Sequence, residues 1–240
     1  MRITILTMFP EIFAGFLQGP VLKRAQERGT ARTELVDIKE FADGSYRHID
    51  DSPYGGGAGM IMKCGPVISA LKSVKTADSR CILFSPRGRK YTQEDAHRFS
   101  REKHLIMLCG HYEGMDERIS RYFDEEICMG DYILTGGEVC AMAVADSVVR
   151  LLPGVLRQES TEDESFESGL LEYPQYTRPK VFEGLEVPDV LLNGNHSEIR
   201  RWRLKESLRA TMERRPDLLD GKALSEEEIK LLEEIRKEIL

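Results

Sequence analysis

Three glycine-bearing turns, each following an apolar run, are the segments of this chain best suited to hold a small ligand. They are Phe84–Gly88, Leu108–Gly114 and Met129–Glu138. Glycine tolerates positive φ and permits a close approach between backbone and ligand. The third turn runs directly into an apolar segment of helical character, whose first N–H groups would be unpaired. Because α/β sheets form ligand pockets where turns leave the ends of their strands, the sequence predicts a small-molecule site here.

The sequence lacks the motifs for the commonest ligands of such sheets. No G-x-G-x-x-G opens a helix after the first strand, and no glycine-lysine-serine/threonine run occurs. We therefore expect neither a nicotinamide cofactor nor a nucleoside triphosphate. The cysteines form no C-x-x-C pair and the histidines lack ligand spacing, so no zinc site is indicated. A further glycine run, Gly55–Gly59, is compatible with a slack surface loop, a flexible lid or a phosphate-binding backbone.

The elements that must position these turns alternate along the first two thirds of the chain. Strand-like apolar runs are Arg2–Leu6, Glu34–Ile38, Arg80–Ser85, His104–Gly110 and Glu126–Met129. Helical segments are Pro10–Arg28, Pro66–Lys75, Thr92–Arg101 and Glu138–Leu152. This alternation predicts an α/β domain with a mostly parallel sheet and helices on both faces.

The composition changes after Gly154, which indicates a second region. Residues 158–172 are rich in serine, glutamate and aspartate and are typical of a flexible linker. Two further helices are predicted to begin at Asn195 and Ser225. We therefore expect an α/β domain over residues 1–157, an acidic linker over 158–172 and a small all-α domain over 173–240.

Charge and hydropathy restrict the partners and the location of the protein. The net charge of the 240 residues is −7, yet residues 196–215 carry seven basic side chains against three acidic ones. Such a basic helix is most often a solvated face, but its charge density here exceeds that default and is typical of the local electrostatic footprint of a nucleic-acid partner. No apolar run approaches the roughly 20 residues needed to cross a bilayer, and Met1–Phe9 is interpreted as a first strand and not a signal peptide. A cytoplasmic protein without membrane contact is expected.

The chain resembles the bacterial tRNA (guanine-N1)-methyltransferases of the SPOUT superfamily over nearly its whole length. The segments that carry the resemblance are Pro53–Met60, Ser85–Lys90, Tyr112–Arg118, Gly130–Glu138, Gly169–Pro179 and Gly194–Arg203. The resemblance implies a homodimer that transfers a methyl group from S-adenosylmethionine to N1 of the guanosine at tRNA position 37, 3′ of the anticodon. It also implies a trefoil knot at the C-terminal end of the α/β domain.

The same resemblance assigns the cofactor site to the three glycine-bearing turns. The matching residues are Leu83, Ser85, Pro86, Gly110, Tyr112, Glu113, Met129, Gly130, Asp131, Tyr132, Ile133, Leu134, Gly136 and Gly137. The activity of the family is linked to magnesium, but no carboxylate cluster in the sequence marks a metal site. This chain departs from the common family pattern at Ala58, His111 and Cys140, where proline, arginine and proline are usual.

The chemistry requires two further groups, for which the resemblance supplies candidate residues. N1 of guanine must lose a proton, and the departing proton leaves negative charge on O6, so a base and a cation are needed. Arg150 matches the arginine of the family at O6. The family places its base, an aspartate, directly before Ser165-Phe166, where this chain has Glu164. Asp163, one residue earlier, is the competing assignment.

The basic helix is expected to bind the tRNA backbone. The candidate phosphate contacts are Arg200, Arg201, Arg203, Lys205 and Arg209. Two rival hypotheses keep part of this assignment. Another SPOUT enzyme, acting on a ribose or a different base, would share the cofactor pocket but would not need a linker carboxylate. A non-catalytic RNA-binding protein with a vestigial pocket would bind tRNA without methyl transfer.

Overall fold

The computed structural model of the protein describes residues 1–44, 47–156 and 164–239. The chain divides into two compact units, Met1–Arg157 and Gln158–Leu240. None of the described helices combines the length and the apolar character required to span a bilayer.

A five-stranded sheet in the first unit confirms the predicted α/β fold. Its strands are β1 (Arg2–Thr7), β2 (Arg32–Asp37), β5 (Ser79–Lys90), β6 (His104–Leu108) and β7 (Glu125–Cys128). They lie in the order β2-β1-β6-β5-β7, and every pairing is parallel. Strands β1 and β6 are almost fully buried. The segment Leu105–Leu108 of β6 is accordingly a continuous apolar run, as is typical of a strand covered on both faces, whereas β1 also buries Thr4 and Thr7.

Helices cover both faces of this sheet. The helices of the first unit are α1 (Ala14–Leu17), α2 (Pro20–Glu27), α3 (Cys64–Val74), α4 (Gln93–Ser100) and α5 (Glu138–Val149). Ile3 and Ile5 of β1 face a core that includes residues of α2, α4 and α5. Leu6, in the same strand, belongs to the opposite core with α3. Successive residues of a strand point to opposite faces, so β1 contributes to both cores.

The first glycine-bearing turn, Phe84–Gly88, and the run Gly55–Gly59 connect strands in ways that the sequence did not indicate. Strand β5 continues beyond the predicted end at Ser85. Residues 85–88 leave the ladder with β7, and Arg89 then pairs with β7 again. A Cβ atom on Gly88 would lie 2.6 Å from the backbone of Glu126, so only glycine permits this close approach. The run Gly55–Gly59 joins two short antiparallel strands, β3 (Asp50–Asp51) and β4 (Ile61–Met62).

His104, at the start of β6, is a buried polar residue that links three neighbouring strands. Its Nε2 atom lies 2.9 Å from Thr4 Oγ1, and its Nδ1 atom lies 2.7 Å from Ser79 Oγ. Burial, followed by the positive charge of Arg2, lowers the pKa of the His104 imidazole below its ordinary value. The folded protein therefore favours the neutral ring.

This burial predicts a loss of stability in acid. The unfolded chain binds a proton at the ordinary histidine pKa, about 6.5, whereas the folded chain does not, so the free energy of unfolding should fall as the pH drops through that value. Urea unfolding at about pH 7.5 and about pH 5.5 measures the loss. His104→Gln keeps hydrogen-bonding atoms but does not titrate, so it should lose less stability on acidification than the wild type. Equal losses in the two proteins would contradict the assignment.

The second unit is mostly helical. Its long helices, α6 (His196–Arg214) and α7 (Glu226–Ile239), pack around a small core that contains Leu208 and Ile235. The expected all-α character is incomplete, because two short antiparallel strands, β8 (Val181–Phe182) and β9 (Leu185–Glu186), precede α6.

The C-terminal part of the predicted linker packs in this unit. Leu170 is 3% exposed and belongs to the same core as Leu208. The backbone N–H of Leu171 donates to Thr211 Oγ1 at 2.9 Å. Two leucines at the end of an acidic stretch therefore extend the packed region to residues before 173. Residues 158–163 of the predicted linker lie outside the described residues.

Candidate functional site

The three glycine-bearing turns converge on one cavity of about 270 Å³ at the carboxyl ends of β5, β6 and β7. This is the arrangement expected of a parallel sheet, in which the ends of neighbouring strands meet at one edge. Twelve of the fourteen residues predicted for the cofactor site line the cavity, and the exceptions are Leu83 and Asp131. The predicted segments therefore meet in one place, because each follows one of three neighbouring parallel strands.

Leu83 and Asp131 lie close to the cavity without lining it. Leu83 is 2% exposed, belongs to the core on the α3 face and borders a neighbouring cavity of about 360 Å³. Asp131 is exposed, and its carboxylate accepts a hydrogen bond from Lys90 Nζ at 2.6 Å. Strand alternation turns Leu83 into the core, and the Asp131 side chain pairs with Lys90 at the exposed surface.

Further lining residues were missed by the sequence analysis. They are Phe84, His111, Gly114, Ile127, Cys128, Thr135 and Cys140. Thr135 interrupts a run of predicted residues, so continuity of the loop could have identified it. Phe84, His111 and Gly114 also lie within the predicted turns. Ile127, Cys128 and Cys140 could be placed in the cavity wall only once the packing of α5 against the strand ends was known.

A buried carboxylate fixes the third turn to two strands of the sheet. Glu138, the first residue of α5, is 4% exposed. Its Oε1 accepts a hydrogen bond from Thr7 Oγ1 at 2.8 Å, and its Oε2 lies 2.9 Å from His111 Nε2. The His111 ring also packs edge-on against Phe9, with the ring centroids 4.9 Å apart. The start of α5, the end of β1 and the second turn are therefore held as one structure.

Glycine is required where the third turn meets the end of β6. The Gly137 N–H donates to the Gly110 carbonyl at 2.9 Å. A Cβ atom on Gly137 would lie 2.7 Å from Cys109 Cα, and a Cβ atom on Gly136 would lie 2.1 Å from His111 Nε2. Neither residue has room for a side chain, so the two glycines let the backbone close the cavity.

The glycine run near residue 57 lies against the rim of the same cavity. A Cβ atom on Gly59 would lie 2.2 Å from Glu113 Cγ, and the Glu113 N–H donates to the Met60 carbonyl at 3.1 Å. Tyr112, which precedes Glu113, has φ of 61°, a conformation that non-glycine residues rarely adopt. The rim is thus a constrained structure that joins two distant parts of the sequence.

Arg150 lies at the opposite end of α5 from the cavity. Its N–H donates to the Asp146 carbonyl at the C-terminal cap, whereas Gly137 and Cys140 of the cavity lie at the N-terminal end. The 12 residues of α5 span about 18 Å at about 1.5 Å per residue. Within one chain, the uninterrupted helix α5 therefore separates Arg150 from this cavity.

The two candidate bases belong to the second unit or lie outside the described residues. Glu164 begins a compact turn, in which its carbonyl accepts from the Glu167 N–H at 3.2 Å. Phe166 has φ of 76° and donates its N–H to the Leu170 carbonyl at 2.8 Å. Asp163 lies outside the described residues. This turn leads from Glu164 to Leu170, which belongs to the core of the second unit.

The predicted phosphate contacts on α6 fall on two different faces. Lys205 donates to Glu234 and Glu238 of α7, and Arg201 and Arg209 pair with the same two carboxylates. These hydrogen bonds raise the pKa of Lys205. Arg200 and Arg203 lie on the other face and have no carboxylate partner among residues 164–239.

No metal site was identified in the described part of the chain. Among those residues, no three histidine, cysteine, aspartate or glutamate side chains form a group suited to hold an ion.

Comparison with known proteins identifies the family. The chain matches the family described as tRNA (Guanine-1)-methyltransferase TrmD over residues 1–221. It is 54% identical to the tRNA (guanine-N(1)-)-methyltransferase of Geobacillus kaustophilus, with 99% of each chain covered. It is 50% identical to that of Dictyoglomus turgidum, with 100% of this chain and 98% of the relative covered. The protein of the same name from Halalkalibacterium halodurans is 51% identical, with 99% of each covered. This chain therefore belongs to the tRNA (guanine-N1)-methyltransferase family.

Proposed function

We propose that this protein methylates N1 of the guanosine at position 37 of tRNA, with S-adenosylmethionine as the donor. The observation that carries the proposal is the cavity at the ends of β5, β6 and β7, formed by the glycine-bearing turns in a chain that belongs to this methyltransferase family. Because the substrate is tRNA, we also propose a cytoplasmic location.

The residues around the cavity suit the proposed donor. Gly136 and Gly137 bring backbone N–H and carbonyl groups to the wall, and a Cβ atom at either position would collide with neighbouring atoms. Met129, Leu134 and Ile127 supply apolar surface. A cavity with apolar walls and a few fixed polar groups is typical of small-molecule sites. S-adenosylmethionine, when bound, supplies an electrophilic methyl group.

Two side chains complete the proposed mechanism. The Glu164 carboxylate would accept the N1 proton of guanine, and the electron pair left on N1 would form the new bond to the methyl carbon. The bond from that carbon to the sulfur of the donor would break at the same time, with its electrons remaining on sulfur. The Arg150 guanidinium donates hydrogen bonds to O6, where negative charge develops as the proton leaves. General-base catalysis contributes typically about 10²- to 10⁴-fold to a rate, and a donor at a developing oxyanion contributes about 10²- to 10³-fold.

The position of Arg150 supports a homodimer. Since α5 separates Arg150 from the cavity of its own chain, we propose that Arg150 acts in the cavity of the partner subunit. Val139 on α5 is 58% exposed, and Ala143 is also exposed. Residues 139, 143, 146 and 150 follow helical spacing along one face. An exposed face that begins with apolar residues and ends at the arginine is suited to pack against a second copy.

The strand order is compatible with the trefoil knot that we propose for this domain. The chain leaves β7 at one edge of the sheet and returns past β5 to the end of β6, where Gly137 contacts Gly110. The third turn lines the same cavity as Ser85 and Pro86. These two residues belong to the segment 85–88, which leaves the sheet between its two pairings with β7. Knots are rare exceptions to the rules of chain connection.

Gly137→Ala is expected to weaken S-adenosylmethionine binding by about tenfold or more, because the added methyl group meets backbone atoms of Cys109 that cannot move aside cheaply. Isothermal titration calorimetry measures the dissociation constant. Gly15→Ala is the matched control, since a Cβ atom there meets nothing within 4 Å. Unchanged affinity in both variants would show that the third turn does not form the donor site.

The function is tested with unmodified tRNA transcripts that carry either guanosine or adenosine at position 37. We expect methyl transfer to the guanosine transcript only, with 1-methylguanosine detected by mass spectrometry of the digested nucleosides. Methylation of a ribose, or of both transcripts equally, would support another SPOUT activity. Binding of tRNA without any transfer would support the non-catalytic alternative.

A further inference from the structure

The second unit contains a groove that the proposed chemistry does not use. It has a volume of about 540 Å³ and lies between the first turns of α6 and the segment around Leu170–Tyr173. Leu170 and Leu204 contribute apolar surface, and the ring of Tyr173 forms part of the wall. Arg200 and Arg203 also line the groove. Aromatic, apolar and cationic groups are therefore combined in one concave surface.

The cations of this groove differ from the others on α6. Arg201, Lys205 and Arg209 form a stripe in which each cation pairs with Glu234 or Glu238 of α7. Arg200 and Arg203 have no such partner among residues 164–239, and both are exposed. An anion that reached α6 would therefore meet uncompensated positive charge at the groove, whereas at the stripe it would have to displace ion pairs.

The contact between Arg203 and Tyr173 indicates what kind of anion the groove suits. The Arg203 Cζ atom lies 4.8 Å from the centre of the Tyr173 ring. A guanidinium held over an aromatic ring presents flat surfaces on which a nucleobase can stack. RNA-binding proteins recognise unstacked bases through such aromatic and arginine planes. The second cation, Arg200, is one helical turn away and is suited to a phosphate.

We propose that this groove binds one unstacked nucleotide of the tRNA, outside the methylated guanosine. The base stacks on the Tyr173–Arg203 pair, and the adjoining phosphate lies on Arg200 with His196 at the edge of the groove. The proposal rests on the proposed function, since the nucleotide belongs to the tRNA substrate proposed above. It assigns α6 a defined nucleotide site in place of a uniform basic surface.

One side chain in the groove is negatively charged and would repel an anion. Its replacement by a neutral side chain therefore tests whether the groove binds an anion. Among the described lining residues, Glu227 carries the one negative charge. It is exposed and lies in the first turn of α7. Removing this charge should favour a phosphate in the groove, so Glu227→Gln is expected to tighten tRNA binding by about two- to fivefold.

The direct test measures tRNA affinity by fluorescence anisotropy with the full-length protein. Tyr173→Ala and Arg203→Ala are each expected to raise the dissociation constant about 5- to 100-fold, the range for loss of one stacked base. Tyr173→Phe should remain within about twofold, because stacking needs the ring and not the hydroxyl. Arg214→Gln removes an equal charge from α6 about 16 Å further along the helix, at about 1.5 Å per residue, and should also remain within about twofold.

A second measurement locates the nucleotide. Transcripts substituted with 5-bromouridine are irradiated in complex with the wild-type protein, and cross-linked peptides are mapped by mass spectrometry. A cross-link at Tyr173 supports the groove. Equal tRNA affinity in wild type, Tyr173→Ala and Arg203→Ala, with thermal unfolding temperatures unchanged, would overturn it.

The groove and the proposed function fail in distinguishable ways. If the wild type methylates guanosine 37 while the two alanine variants bind tRNA normally, only the groove proposal is wrong. If the wild type transfers no methyl group, the proposed function is wrong whatever the affinities are. Transfer at saturating tRNA should remain near wild type in Tyr173→Ala, because the groove acts on binding and not on the reacting atoms.

Discussion

Arg150→Ala is expected to lower kcat for methyl transfer about 10²- to 10³-fold while leaving the affinity for S-adenosylmethionine nearly unchanged. The guanidinium would stabilise charge that develops on O6 only as the proton leaves N1, so its loss raises the barrier and not the energy of the bound donor. Single-turnover assays with unmodified tRNA measure the chemical step directly. Arg121→Ala, which removes an exposed arginine elsewhere in the first unit, is the control and should retain wild-type turnover.

Mixing two inactive variants tests whether Arg150 acts in the partner's cavity. Subunits with Arg150→Ala keep an intact cavity, and subunits with Gly137→Val keep the arginine but lose the cavity. If the arginine acts across the dimer, each mixed dimer has one complete site. Random mixing makes about half of the dimers mixed, so about one quarter of wild-type activity should return. No recovery of activity after subunit exchange would place Arg150 in the site of its own subunit. That result would contradict the proposal that Arg150 acts in the cavity of the partner subunit.

Glu164→Gln is expected to reduce kcat about 10²- to 10⁴-fold, because the amide cannot accept the N1 proton. Glu164→Asp tests the geometry, since it keeps the carboxylate and shortens the side chain by one methylene group. It should retain more activity than the glutamine variant. The assay is single-turnover transfer at saturating tRNA and donor, so that changes in binding do not contribute.

Asp163→Asn distinguishes the competing base. If Glu164 is the base, the asparagine variant should transfer methyl groups within a fewfold of wild type. A large loss in Asp163→Asn together with normal transfer in Glu164→Gln would reverse the assignment. Normal transfer in both variants would remove both acidic residues from the mechanism and favour a methyltransferase that needs no carboxylate there.

The arrangement of the first unit could be predicted from sequence because it depends on local patterns. The segments Ile3–Leu6, which is apolar except for Thr4, and Leu105–Leu108 are long enough for buried strands, and helical segments alternate with strands between them. Alternation of the two leads to a parallel sheet. The glycine-bearing turns follow strands directly, so they must meet at one edge of that sheet. Family motifs such as Gly130–Glu138 added the identity of the proposed ligand, which no periodicity indicates.

The groups in the cavity wall could not all be predicted, because several depend on contacts between distant segments. Glu138 looks like an ordinary acidic residue at a helix start, yet it is buried between Thr7 and His111. Leu83 matches the family's lining, yet strand alternation places it in the core. Side-chain direction in a strand depends on register, and register is set by the neighbouring strands.

The sequence by itself determined the strand and helix segments of the α/β unit, the turns that line its cavity and the family. Only the tertiary structure decided which charges remain available. Arg150 is separated from the cavity because α5 is continuous, and the basic residues of α6 are divided because α7 lies along one face of that helix. A linear sequence gives the number and spacing of charges. Their availability depends on which carboxylates packing brings within a few ångströms, since an ion pair's energy falls with distance and with exposure to water.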